Sequence, residues 1–130
     1  MSDAITLTVP HAPEFYGVVR LVVGGLAARL ELPIEALEDV QTALEALLET
    51  EAYRTTDDVT LVVEVVDGNL VLTLGPLDAD ALARDLDAAR DGGLTLARML
   101  AATTERYELE RRDDGGWMRM ERRLPERTGG

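Results

Sequence analysis

The sequence predicts an α+β domain, a two-layer sandwich whose mixed, mostly antiparallel sheet is covered by helices on one face. Three observations predict it. Short alternating stretches end in turn signals, most clearly in "VTLVVEVV", "DGN" and "LVLTL". Apolar residues recur at helical spacing from Phe15 to Leu30 and again from Leu37 to Leu48. Near the C-terminus, Tyr107 and Leu109 alternate with Glu108 and Glu110, and Met118 and Met120 alternate with Trp117, Arg119 and Glu121. One sheet face is therefore apolar and the other charged.

The elements follow in the order β-α-α-β-β-α-α-β-β. "AITLTV" (Ala4 to Val9) alternates as a strand, and "PHAP" closes it. From Pro13, the residues Phe15, Val19, Val22, Leu26 and Leu30 mark a helix whose period outweighs its β-branched pairs. Pro33 suits a first helical turn, and "EDVQTALEALLETEAYR" (Glu38 to Arg54) reads as one helix. Leu37, Val40, Leu44, Leu47 and Leu48 form its apolar stripe, with Glu38, Thr42, Glu45 and Glu49 on the flank. A hairpin follows. Asp78 then caps a helix that turns Ala81, Leu82, Leu86 and Ala89 inward. "DGG" opens the helix "LTLARMLA", and a "DDGG" turn joins the last two strands. Residues 1–124 make a single domain, and residues 125–130 are expected to form a disordered tail.

At 130 residues the chain is long enough for one core that buries roughly two-thirds of its unfolded surface. It has no cysteine, hence no disulfide framework or thiolate metal site. Its 25 acidic residues against 13 basic leave a net charge of −12, which repels nucleic acid and anionic membrane surfaces. All 13 basic residues are arginine, so no lysine is present to serve as nucleophile or phosphate clamp. "GVVRLVVGGLAARL" is interrupted by Arg20 and Arg29 and is too short to span a bilayer. No secretion signal is legible, and a cytoplasmic location is expected.

Few groups offer chemistry. The sole histidine, His11, stands in a Pro-flanked loop and is expected to be solvent-exposed, and the sole serine is Ser2, so a hydrolytic triad is excluded. Glu45 and Glu49 fit either a solvated helix flank or a surface where a metal or nucleotide docks. "DGGL" (Asp91 to Leu94) fits either an Asp cap after a loose loop or a phosphate-holding helix start.

Taken in order, "VPHAPEFYGVVRLVVGGLAARL", "EALEDVQTALEALLE", the hairpin, "DGGLTLARMLA" and the final hairpin resemble the anti-sigma-factor serine kinases of bacterial partner-switching systems. That family lies in the histidine-kinase-like GHKL ATPase superfamily, and the resemblance runs from Ile5 to about Leu124. It implies a Bergerat-type sandwich, dimerisation, capture of a sigma factor, and release by an anti-anti-sigma (STAS) protein that the family phosphorylates with ATP. Glu45 matches the family's general base. Glu49 stands where an asparagine should hold Mg²⁺, and the sole asparagine, Asn69, lies in the "DGN" turn. Gly75 and Pro76 stand near the place of the adenine-binding aspartate. Gly92 and Gly93 fit the last phosphate motif, but Thr95 replaces one of its glycines.

Without a metal, Glu49 would face the triphosphate at a cost of roughly 3 kcal/mol per charge pair at about 5 Å. Loss of the adenine-binding carboxylate removes a further one to two decades of affinity. The expectation is a vestigial nucleotide site, with no cofactor unless ATP and Mg²⁺ still use the degenerate pocket, and no other metal. The protein is expected to act by protein–protein binding in transcription or stress signalling, as a homodimer. The alternatives are an active serine protein kinase with drifted motifs and a scaffold that kept only the fold. Phe15, Val18, Val19, Val22 and Val23 are the expected dimer surface. Arg20, the only charged residue between Glu14 and Arg29, is the expected partner anchor, and a local salt bridge is the alternative for it.

Overall fold

Residue alternation builds the sheet that positions everything else. The computed structural model describes residues 4–88 and 95–125. Its strands are β1 (Ala4–Pro10), β2 (Asp58–Val66), β3 (Asn69–Leu77), β4 (Arg106–Arg112) and β5 (Gly115–Arg123), in the order β1-β2-β3-β5-β4. Every pairing among them is antiparallel, so the expected mixed sheet is antiparallel throughout the described residues. The register places Val63 opposite Leu72, Leu72 opposite Met120, and Met120 opposite Tyr107, a continuous apolar row. On the other face Glu64, Val71, Glu121 and Arg106 form the matching row.

The helices are α1 (Tyr16–Arg29), α2 (Ile34–Glu49), α3 (Ala79–Asp87) and α4 (Leu96–Thr103). Packing of α2 against both α1 and α4, with α3 against α4, β4 and β5, covers one sheet face. Leu47, Leu74, Leu77, Leu82, Leu100 and Met118 are wholly shielded from solvent within one continuous core. Each such side chain contributes roughly 1.5–3 kcal/mol relative to its exposed state. The opposite face carries ion pairs, with Arg119 paired to Glu121 at 2.5 Å and Arg112 to Glu110 at 2.7 Å, alongside the buried Val71 and Trp117.

Several boundaries differ from expectation, each for a local reason. The helix expected to run unbroken from Glu38 to Arg54 starts at Ile34, behind Pro33, and stops at Glu49. Thr50 adopts an extended conformation and turns its hydroxyl back onto the Ala46 carbonyl at 2.7 Å, and a short 3-10 turn, Glu51–Tyr53, follows. The 3-10 turn Pro13–Phe15 likewise precedes α1, whose buried stripe is Val19, Val23 and Ala27. The expected dimer surface is therefore divided: Val19 and Val23 belong to the core, Phe15 and Val22 are half-buried, and Val18 faces solvent. Strand β3 continues past Leu74 through Gly75 and Pro76 to Leu77, with a register shift, and Asp78 caps α3 by accepting the Ala81 N–H at 3.0 Å. Ala89, Gly92, Gly93 and the tail from residue 126 lie outside the described residues.

Candidate functional site

The carboxylate flank of α2 turns away from the core, because its period places Val40, Ala43, Leu44, Leu47 and Leu48 against the sheet and neighbouring helices. Glu38, Thr42 and Glu49 are exposed. Glu45 is half-buried because it leans across to α1, where it forms an ion pair with Arg20. The local salt bridge weighed for Arg20 in the sequence is present. Gln41 adds a weak contact from the same flank, donating to the Arg20 carbonyl at 3.4 Å. Between the helices lies a shallow groove lined by Tyr16, Val19, Arg20, Gln41, Leu44, Glu45 and Leu48.

His11 is a correction. It is fully buried, where a solvent-exposed loop residue was expected. Its backbone N–H donates to Asp57 at 2.8 Å, which pulls the ring inward, and its Nε2 donates to the Leu48 carbonyl at 2.9 Å. The Tyr16 hydroxyl donates to the same carbonyl at 2.8 Å, and the two rings meet edge to face at 6.2 Å. Burial pushes the Tyr16 phenol above its ordinary value, opposed by the charge of Arg54. The last turn of α2 is thus gripped by two aromatic donors that carry nothing to mark them in the sequence, since their acceptor is more than 30 residues away. The Nδ1 of His11 has no hydrogen-bond partner among the described residues.

Just beyond the same end of α2, the 3-10 turn Glu51–Tyr53 packs against α3. Tyr53, buried, donates to Asp85 at 2.5 Å, and its carbonyl accepts the Asp78 N–H at 2.8 Å. Burial, and then the Asp85 carboxylate, push the Tyr53 phenol far above its ordinary value. At Gly75 a Cβ would stand 2.5 Å from Cδ2 of Trp117 and 2.8 Å from the Gly116 carbonyl oxygen. Trp117 is itself fixed: its Nε1 donates to Asp114 at 2.8 Å, and the Arg112 guanidinium lies 4.4 Å from its ring centroid. Thr95 is the N-cap of α4, its hydroxyl accepting the Arg98 N–H at 3.2 Å, so one free amide of that helix start already has a partner. Among the described residues no group of three or more His, Cys, Asp or Glu side chains is placed to hold a metal ion.

Of the expected site residues, then, Arg20 and Glu45 come together, Glu49 is exposed on the same flank of α2, Thr95 caps α4, and Gly92 and Gly93 are outside the described residues. Trp117 was not expected; as the sole tryptophan, set directly after "DDGG", it was the one available signal.

A five-stranded antiparallel sheet with its helices on one face, and a carboxylate-bearing α2 beside the N-terminal helix, make an α+β two-layer sandwich. The fold matches the crystal structure of the RsbU and RsbW domains of Rv1364c from Mycobacterium tuberculosis, with a TM-score of 0.68 over 94% of this chain and 32% of that one. At 16% identity that likeness shows the fold alone. In sequence, the chain is 37% identical over 67 residues to the serine-protein kinase RsbW of Listeria monocytogenes serotype 4a, covering 49% of this chain and 43% of that protein. It is 45% identical over 42 residues to the serine-protein kinase RsbW of Halalkalibacterium halodurans, covering 32% of this chain and 26% of that protein. The chain thus matches less than half the length of either relative. No family model matches it. The resemblance to the RsbW-type anti-sigma-factor serine kinases is borne out by these matches. No helix among the described residues is long and apolar enough to cross a membrane.

Proposed function

We propose that this chain is an anti-sigma-factor-like regulator that works by binding proteins and has no useful affinity for Mg-ATP. The observation that carries this reading is Gly75. Near the place where the resemblance puts an adenine-binding carboxylate, there is no room even for a Cβ, because the fixed ring of Trp117 occupies it. The other residues do not fit the nucleotide either. Glu49 stands where the resemblance places an asparagine and, without a metal, would set its charge against the triphosphate, Thr95 caps α4 with its hydroxyl, and Glu45 is engaged by Arg20. Leu77 and Leu82, which flank the start of α3, are packed into the core.

The working-kinase reading is favoured by one observation, the retention of Glu45 at the general-base position. Calorimetry with ATP and Mg²⁺ separates the two. The expected result is no heat of binding up to millimolar nucleotide, and a dissociation constant in the low micromolar range would promote the kinase reading instead. The partners of this reading are a sigma factor, an anti-anti-sigma STAS protein, or both, seated on the outer face of α1. A homodimer is part of it, with Val18 and Leu21 as the exposed apolar residues available on α1. Light scattering at tens of micromolar protein checks that, and a monomer mass rejects it.

A further inference from the structure

Helix α1 carries an unexplained cost. Gly17, Gly24 and Gly25 lie within it, and each weakens a helix by about 1 kcal/mol relative to alanine. None is required by packing, since a Cβ at any of the three would meet nothing within 4 Å. Gly17 and Gly24 sit one turn to either side of Arg20, so the helix backbone around this arginine is open to close approach. Val18 and Leu21, at 41% and 77% exposure, add apolar surface on the same helix. At the centre stands the Arg20 guanidinium, whose side chain remains 55% exposed although it is paired with Glu45.

We infer that Glu45 acts as an internal pseudo-ligand on Arg20, and that the partner docks by an exchange in which its own carboxylate, flanked by apolar side chains, replaces Glu45. The inference rests on the reading of α1 as the partner-facing helix. Glu45 displays the ligand chemistry of this spot, a carboxylate reaching the guanidinium across a groove floored by Val19, Leu44 and Leu48. Because both side chains keep contact with water, the pair is worth little and opens readily. The contact is therefore a weak brake that sets affinity by competition.

The competition has an uncommon signature: neutralising a residue inside the docking groove strengthens binding. The experiment measures, by calorimetry at about 0.15 M salt, the affinity of the full chain for the purified sigma factor and STAS-domain protein of the same genome. Glu45→Gln is expected to tighten binding about two- to fivefold, the factor an exposed ion pair supplies when it no longer competes. Glu49→Gln removes the same charge one turn away and is expected to change affinity by clearly less. In an Arg20→Ala background, which binds weakly, the gain from Glu45→Gln is expected to vanish. If Arg20→Ala weakens binding but Glu45→Gln does not tighten it, or tightens it no more than Glu49→Gln, the exchange is wrong while the partner-facing reading of α1 stands. If Arg20→Ala leaves affinity unchanged, or neither protein binds the parent chain, the reading of α1 and the exchange fall together.

Discussion

Gly75→Ala adds one methyl group where the structure leaves none. Its carbon would stand 2.5 Å from Cδ2 and 2.8 Å from Cγ of Trp117, and 2.8 Å from the Gly116 carbonyl oxygen. Unstrained carbon contacts need about 3.5–4.0 Å, so the overlap is on the order of 1 Å against a ring and a backbone at once. Neither retreats freely. The ring is hydrogen-bonded through Nε1 to Asp114 and stacked with Arg112, and Gly116 has its own constraint, since its Cβ position lies 2.8 Å from Cα of Ala79. Overpacking of this kind costs about 1–3 kcal/mol. For a domain of this size each kcal/mol lowers the melting temperature by roughly 3–6 °C.

Thermal unfolding followed by circular dichroism reads the cost of Gly75→Ala. Because Trp117 is the sole tryptophan, its emission reports separately whether the ring has been displaced toward water. A red-shifted emission with a melting temperature several degrees lower is expected. If Gly75→Ala melts within about 1 °C of the parent and leaves the emission unchanged, the space is not filled as described. An aspartate at this position would then be admissible, and the main physical objection to a nucleotide carboxylate there would be gone.

Two further substitutions test the aromatic grips on α2 and α3. His11→Ala removes a fully buried ring and its hydrogen bond to Leu48, and is expected to cost about 2–4 kcal/mol in urea unfolding, whereas a surface histidine would cost nothing measurable. Tyr53 has a folded-state pKa raised above its unfolded value, so its contribution is fully present below about pH 10 and is lost as pH rises beyond the unfolded value. Stability should thus fall in alkali, and Tyr53→Phe, which cannot ionise, should flatten that fall; equal alkaline slopes in parent and variant would contradict it.

The order of elements and the sidedness of the sheet are legible in the residues alone. Those properties are written in local periods: two-residue alternation in "YELE" and "WMRME", and three-to-four-residue recurrence from Val40 to Leu48. Asp78 was likewise legible as a cap, since a cap is a bond to an amide three residues on. The carboxylate flank of α2 followed from the same geometry. What lay beyond the sequence was every contact between residues distant along the chain. Nothing local distinguishes a buried His11 from an exposed one, because the Leu48 carbonyl and Asp57 that bury it are brought there by the turn of the whole sheet. Likewise, Glu45 reads as one acid among 25 until α1 and α2 pack side by side and give it Arg20. Gly75 reads as a missing aspartate, and only the antiparallel pairing of β3 with β5 shows that a tryptophan ring has taken the space. Periodicity fixes which way a side chain points; what it meets there is decided by the packing of distant segments, and in this protein the chemistry of the site depends on those meetings.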